Sequence, residues 1–276
     1  MSAKYPIISV TGSSGAGTTS VRRTFEQIFR REHIEAAYIE GDAFQRYNRD
    51  QMRAVMAEEE SKGNRLFSHF GESANLLAEL EDAFRSYGES GTGKTRHYVT
   101  DWAALPEKSE LLFYEGLHGA VKTDKVNIAQ YPDLKIGVVP VINLEWIQKI
   151  HQDRSVRGYT REEIMDTMLR RMPDYVHYIC PQFTETDINF QRVPTVDTSN
   201  PFAARWIPTA DESLVVIRFV KPRGIDFPYL HSMIHDSFMS RPNSIVIPGN
   251  KLDLAMQLIL TPFVLQLVER RRRRTG

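Results

Sequence analysis

The sequence predicts an α/β fold: one domain over 1–276 around an open, mostly parallel sheet, with a core over about 1–180 and a β-richer elaboration over about 181–276. Three observations carry this expectation. Short apolar runs alternate with stretches whose apolar residues recur at helical spacing. The first apolar run leads straight into a glycine-rich turn and then a helical pattern. After Asp187 the pattern shifts to shorter strands before a final long helix.

The first strand is expected over 7–10, where Ile7, Ile8 and Val10 are apolar, and the first helix over 18–32, with Val21, Phe25, Ile28 and Phe29 on one face. A second strand follows over 36–40, then two polar helices near 49–62 and 72–87. Gly88, Gly91 and Gly93, mixed with Lys94 and Arg96, make 88–100 read as a mobile loop. Buried strands are expected over 111–114 and 135–141. Asn143 then opens a helix holding Trp146, Ile147 and Ile150, and another helix covers 161–178. Strands over 189–193, 214–219 and 244–247 precede a last helix over 251–272. Strand order is not legible, although right-handed crossovers are expected.

Composition narrows the function classes. With Lys plus Arg equal to Asp plus Glu, 35 each, no global field favours nucleic acid or a membrane surface. No apolar run reads as long enough to span a bilayer, and no signal peptide precedes the first strand, so a cytoplasmic location is expected. Cys180 is the single cysteine, which excludes an intrachain disulfide and any multi-cysteine metal site. Its neighbours Tyr178, Ile179 and Pro181 predict a buried structural thiol. The arginine run over 270–274 reads as a solvated helix end or frayed tail, ahead of a phosphate or acidic-partner contact.

The chemistry is carried first by Gly12-Ser13-Ser14-Gly15-Ala16-Gly17-Thr18-Thr19, with Ser20 beginning the helix proper. The pattern is that of a phosphate-binding loop, G-x-x-x-x-G-K-[ST]. Its glycines let backbone N–H groups turn inward around an anion, and the helix N-terminus adds partial positive charge. The Thr19 hydroxyl sits where such loops hold Mg²⁺. Thr18, however, replaces the usual lysine, so a bound nucleotide needs its cation from elsewhere.

Acids follow two strands, at the sheet edge where open parallel sheets place their sites. Asp42, after the second strand, suits accepting a proton from a substrate hydroxyl or helping to hold magnesium; turn formation is as common a use. Glu115 ends the strand Leu111-Leu112-Phe113-Tyr114, where phosphate-loop enzymes keep their second metal-organising acid. Lys149, Asp153 and Arg157 share one helix face at i, i+4, i+8. As a surface ladder these are worth tenths of a kcal/mol per pair, about 0.3–0.5; as a functional set, Lys149 supplies the cation missing at Thr18. Arg49, Arg154, Arg170 and Arg171 suit a second phosphorylated substrate. His69, His97 and His118 have no ligand-like spacing and read as ordinary polar residues.

Taken together the motifs resemble the bacterial phosphoribulokinases, of the uridine kinase/phosphoribulokinase family, over nearly the full length. Besides the loop, the resemblance rests on Glu40-Gly41-Asp42-Ala43-Phe44, Phe113-Tyr114-Glu115-Gly116-Leu117-His118-Gly119, and Val139-Pro140-Val141-Ile142-Asn143-Leu144-Glu145-Trp146-Ile147-Gln148-Lys149. Val196-Asp197-Thr198-Ser199-Asn200-Pro201-Phe202 and Pro208-Thr209-Ala210-Asp211-Glu212-Ser213 add to it. It implies a P-loop kinase-like three-layer sandwich with a mixed, mostly parallel sheet. The implied reaction is Mg²⁺- and ATP-dependent phosphorylation of D-ribulose 5-phosphate at its 1-hydroxyl, giving the ribulose 1,5-bisphosphate of the Calvin cycle. It implies Asp42 as base, Lys149 and Asp153 as an essential pair, Thr19 and Glu115 at the metal, and Gln45, Arg49, Tyr98, Arg157, Arg170 and Arg171 near the sugar phosphate or in regulation. It further implies a homo-oligomer, often an octamer, activated by NADH and inhibited by AMP. Ala16 stands where the plant form carries its redox cysteine, so control of that kind is not expected.

Three departures stand out: Gln45 in place of a histidine, Gln152 in place of an arginine, and a shortened segment between Tyr98 and Asp101-Trp102. Two other readings stay open on the sequence: a related kinase acting on a nucleoside or another sugar phosphate, and a nucleotide-sensing regulatory protein without turnover.

Overall fold

The computed structural model describes residues 4–13, 18–157 and 160–275; within these, the side chains of Thr19, Thr275 and residues 153–157 are not described. In chain order the strands and helices are β1 (Ile7–Thr11), α1 (Thr18–Arg31), β2 (Ala36–Glu40), α2 (Arg49–Ser61), α3 (Leu77–Ser90), β3 (Lys94–Thr95), β4 (Ala103–Ala104) and β5 (Leu111–Gly116). They continue with β6 (Leu134–Val139), α4 (Ile142–Arg157), α5 (Arg161–Arg170), α6 (Met172–Asp174), α7 (Gln182–Glu185) and β7 (Ile188–Pro194). β8 (Ser213–Phe219), α8 (Phe227–Met233), β9 (Phe238–Arg241), β10 (Ser244–Pro248) and α9 (Leu252–Thr275) complete the order.

An eight-stranded sheet runs β2-β5-β1-β6-β7-β8-β10-β9. The strands from β2 to β7 pair in parallel, and β8, β10 and β9 add on antiparallel. Alternation along each strand sends side chains to two layers. From β5, Leu111 and Phe113 enter the core shared with α1 and α9, where Phe25, Phe29, Met256 and Leu260 are buried. Leu112 and Tyr114 enter the opposite core, with Leu80, Phe84 and Tyr87 of α3. The sheet is thus covered on both faces, and the parallel strands present their C-terminal ends along one edge.

Several expectations change. Residues 88–90 belong to α3, because Gly88 is buried and its carbonyl accepts the N–H groups of Lys4 and Tyr5; the helix ends at Gly91, in the left-handed conformation at φ 72°. The rest of the expected loop is a hairpin, Lys94 pairing with Ala104 and Thr95 with Ala103. The helix expected over 161–178 breaks near Pro173 into α5, α6 and a π-turn at Tyr175–Ile179. Cys180 is exposed rather than buried. One described helix, Gly249–Arg274, is long and apolar enough to cross a membrane, with mean hydropathy 1.4, against the expectation of no such run. Its Ala255, Met256, Leu260, Val264 and Val268 are buried in the core beside α1, which accounts for the apolar content.

Candidate active site

The parallel register places Glu40 opposite Glu115, and Val10 opposite Glu115 on its other side, so three strand ends meet where β1 enters the glycine-rich turn. Gly12 donates to the Gly116 carbonyl at 3.2 Å, tying that turn to the end of β5. The turn carrying Asp42 (Gly41–Phe44) is drawn in just as closely. A Cβ on Gly41 would stand 2.7 Å from Gly116 Cα, so only two glycines allow this approach.

Asp42 is exposed at the mouth, and Gln45 Nε2 donates to its Oδ1 at 2.8 Å. The position that departs from the family pattern therefore touches the acid directly. Partial enclosure pushes the Asp42 carboxyl above the usual range, and Glu40 pushes the same way; Gln45, Arg49 and His97 act against them. The β3–β4 hairpin supports this turn from outside. Arg96 donates to the carbonyls of Ala43 and Gln45, each at 2.7 Å, and lies 4.5 Å over the Trp102 ring, which packs on Phe44. Tyr98, in the same hairpin, has φ 53°, a left-handed conformation that costs a non-glycine residue energy.

Glu115 is half-buried, and burial raises its carboxyl above the usual value, as do Glu40 and Asp42; the Thr18 hydroxyl and Arg22 favour the charged form. Arg22, one turn into α1, donates to Glu40 at 2.6 Å and to Glu26 at 2.9 Å. Burial disfavours its charge, but those hydrogen bonds outweigh it and hold its pKa above the ordinary arginine value.

On the far side, α4 brings in Glu145, 3% exposed, and Lys149 one turn later. Glu145 lies beside Ser13 of the loop and 3.9 Å from the Arg171 guanidinium, which itself stacks 4.9 Å over Phe70. Burial raises the Glu145 carboxyl, while Ser13, Arg171 and Lys149 pull it back. Ser13 Oγ and Glu145 Oε2 are both buried where the glycine-rich loop meets α4.

The expected residues divide as follows. Gly12, Ser13, Thr18, Asp42, Gln45, Glu115 and Lys149 gather at one edge, with Arg49 near Asp42 and Arg171 near Glu145. Arg170 turns instead to Glu60 at 2.9 Å and Asp166 at 3.1 Å. Ser14, Gly15, Ala16 and Gly17 lie outside the described residues, as do the side chains of Thr19, Asp153, Arg154 and Arg157; Ser20 lies in α1. His118 is buried, bonds the Phe70 carbonyl at 2.9 Å, and is pushed down to about 4 by burial, which makes it a neutral structural residue. The Cys180 thiol is pushed up, by partial desolvation and then by Glu145, which is the wrong direction for a nucleophile.

Sequence reasoning missed Glu145, His97, Arg96 and Glu40 as parts of the site. Two of these left a signal: Glu40 ends an apolar strand run, and Glu145, four residues before Lys149, shares its helix face.

Among the described residues no group of three or more His, Cys, Asp or Glu forms a cation cage. Mg²⁺ does not require one, since it keeps waters and takes one or two carboxylates together with phosphate oxygens. Glu115, at a strand end beside the loop with Glu40 and Asp42 as acidic neighbours, fits that partial donor set.

Comparison with known proteins follows the same lines. The family model described as Phosphoribulokinase / Uridine kinase family matches residues 7–199. The chain is 72% identical to the phosphoribulokinase of Nitrobacter vulgaris, over 98% of this chain and 99% of that one. It is 64% identical to the chromosomal phosphoribulokinase of Cupriavidus necator, over 99% of each. The solved phosphoribulokinase from Rhodobacter spheroides superposes with a TM-score of 0.93 at 64% identity, covering 98% of this chain and 99% of that one.

Proposed function

The chain belongs to the phosphoribulokinase/uridine kinase family, and from that premise we propose how its site works. The protein is a kinase with ATP as co-substrate. It phosphorylates D-ribulose 5-phosphate at the 1-hydroxyl, giving the ribulose 1,5-bisphosphate used in Calvin-cycle carbon fixation. The single observation that carries the mechanism is the Gly41–Gly116 contact, which sets Asp42 beside Glu115 at the exit of the glycine-rich turn.

In this reading Gly12 to Ser20 form the nucleotide site, with backbone N–H groups and the N-terminus of α1 facing the phosphates. Thr19 and Glu115 would hold Mg²⁺, which would supply positive charge to offset the negative charge of the phosphates. Asp42 orients the sugar's 1-hydroxyl and takes its proton as the oxygen attacks the γ-phosphorus. Its raised pKa makes it a better base than an ordinary aspartate. Gln45 holds the Asp42 oxygen in place. Lys149, backed by Glu145, supplies the cation that Thr18 lacks and stabilises the transferred group; Asp153 positions it or serves as a second base. Arg49, Tyr98, Arg157, Arg170 and Arg171 grip the sugar phosphate or transmit regulation.

We extend the proposal to NADH activation, a cytoplasmic location and a homo-oligomer up to an octamer. The edge strand β9 supports the last, since Phe238 and Met239 are 51% and 40% exposed there. Turnover of Mg²⁺-ATP, followed by ADP release with and without ribulose 5-phosphate and repeated with NADH, tests the reaction. ADP release should depend on the sugar phosphate; none from protein that binds ATP would point to another acceptor.

A further inference from the structure

Gln182 opens α7, is 1% exposed, and uses every hydrogen-bonding position of its side-chain amide inside the protein. Its Nε2 donates to the carbonyls of Leu117 and Tyr178, at 2.7 and 2.8 Å. Its Oε1 accepts from the Thr11 hydroxyl at 2.9 Å and from the Ala120 N–H at 3.0 Å. A carbonyl can only accept and a backbone N–H can only donate, so these partners fix which way round the amide lies. Two donated and two accepted bonds are the full capacity of a primary amide.

The segments held in this way are those that build the candidate active site. Thr11 ends β1 directly before Gly12, and the parallel register sets it opposite Gly116. Leu117 and Ala120 lie in the turn that carries the chain onward from Glu115 and Gly116 of β5. That turn is pinned to β1 a second time, because the buried Ser9 hydroxyl donates to the Gly119 carbonyl at 2.7 Å. Tyr178 belongs to the π-turn Tyr175–Ile179, whose first residue, Tyr175, lies against the Glu145 carboxylate beside Ser13. Single π-turns recur at functional positions of helices.

Filling space does not account for this residue. An unbranched apolar side chain such as methionine buries without polar atoms to satisfy, whereas an amide is costly to bury unless all its bonds are made. What the amide adds is direction: it fixes the spacing between itself and groups 171, 65 and 62 positions away in the chain. The glycine-rich turn calls for such a restraint, because its glycines leave the backbone free to move. A displacement of about 1 Å between reacting groups lowers a rate far more than it lowers binding.

We propose that Gln182 is a positioning residue for phosphoryl transfer: it holds the end of β1 against the turn after Glu115, so that the glycine-rich loop and the edge carrying Asp42 and Glu115 keep one spacing. It acts through Thr11 and the turn at 117–120 rather than on a reacting atom, and the inference rests on the reading of the site given above.

The experiment compares Gln182→Met and Thr11→Val, singly and combined, with Tyr87→Phe, by steady-state kinetics and by direct titration with a non-hydrolysable ATP analogue. Tyr87→Phe removes a buried 2.8 Å hydrogen bond to Ser109 at the opposite end of the strands, next to Tyr5, and so reports what lost stability alone does. Gln182→Met should lower kcat about 10- to 100-fold, while ATP-analogue binding and the KM for ribulose 5-phosphate change far less. Thr11→Val, close to the native shape, should lower kcat in the same direction by a smaller factor, and the double variant should be no slower than Gln182→Met. Tyr87→Phe should keep kcat. Wild-type kcat in Gln182→Met, equal losses in kcat and in binding, multiplied losses in the double variant, or an equal loss in Tyr87→Phe would overturn the proposal. If Gln182→Met does not fold, Thr11→Val decides alone: an unchanged kcat there overturns it. Asp42→Asn, run alongside, reports separately on the reading of the site.

Discussion

Gly41 and Gly116 meet backbone to backbone: a Cβ built on Gly116 would stand 2.6 Å from Gly41 Cα, and one on Gly41 2.7 Å from Gly116 Cα. Neither obstacle is the flexible end of a side chain, so only a shift of strand or turn relieves it. Gly116→Ala should therefore cost about 1–3 kcal/mol of stability through overpacking. It should also lower kcat more than a surface substitution of equal stability cost, because it moves Asp42 away from Glu115. Denaturant unfolding and steady-state rates on the same variant check this.

Asp42→Asn keeps the size and the contact with Gln45 but removes the carboxylate proposed as base. General-base removal of this kind costs about 10²–10⁴ in rate. The expected result is a fall of that order in kcat with little change in the ATP concentration giving half-maximal rate. Intact kcat would remove Asp42 from the role of base.

Asp42 and Glu115 both have carboxyls raised above their ordinary 3.8 and 4.5, chiefly by partial desolvation. If both act ionised, the acid limb of the rate profile falls at a pH above those values. For stability the sign follows from the same shift: the folded state binds these protons more tightly than the unfolded chain. Their stabilising contribution is complete below the unfolded pKa values and is lost as pH rises through the folded ones. Without metal, Asp42→Asn combined with Glu115→Gln should thus gain Tm over the wild type as pH rises from below the ordinary carboxylate values of 3.8 and 4.5 towards neutrality. A difference in Tm that does not change with pH would contradict it.

Glu145 and Arg171 are 3% and 8% exposed and lie 3.9 Å apart. Breaking a buried pair by removing one partner costs about 3–5 kcal/mol, whereas replacing both with apolar residues costs far less. Glu145→Met and Arg171→Met should each destabilise strongly, and the double variant less than their sum; additive losses in a double-mutant cycle would show that the two are not coupled.

Lys149→Met should lower kcat by about 10³, the scale of losing one charge-stabilising group in transfer chemistry. ATP-analogue binding, measured directly, should change far less than kcat. Comparable losses in both would make Lys149 a ground-state binding residue.

Much of this arrangement was legible in the sequence. The strands 7–10, 36–40 and 111–114 were readable as apolar runs, and their ends carry Glu40, Asp42 and Glu115 because parallel strands point the same way. Elsewhere, long-range contacts overrode local signals. Gly88 reads as a loop former, yet the N–H groups of Lys4 and Tyr5 bind its carbonyl and α3 runs on to Ser90. β9 went unread because all of its residues are exposed, which erases the alternation that reveals a strand. Gln45 read as a departure from the family pattern, but its bond to Asp42 exists only once the short helical turn brings the two together. His97 reaches Asp42 only through the β3–β4 hairpin, and nothing in the spacing announces that.

In the proposed mechanism Asp42 is the base as the γ-phosphoryl group of ATP passes to the 1-hydroxyl of ribulose 5-phosphate. Phosphorus NMR of wild-type and Asp42→Asn reactions containing Mg²⁺-ATP and ribulose 5-phosphate reads both the position and the rate of transfer. A new phosphomonoester on carbon 1 should form in step with ADP, at a rate that the substitution lowers about 10²–10⁴-fold. Phosphate on another hydroxyl, or equal rates from the two proteins, would contradict it.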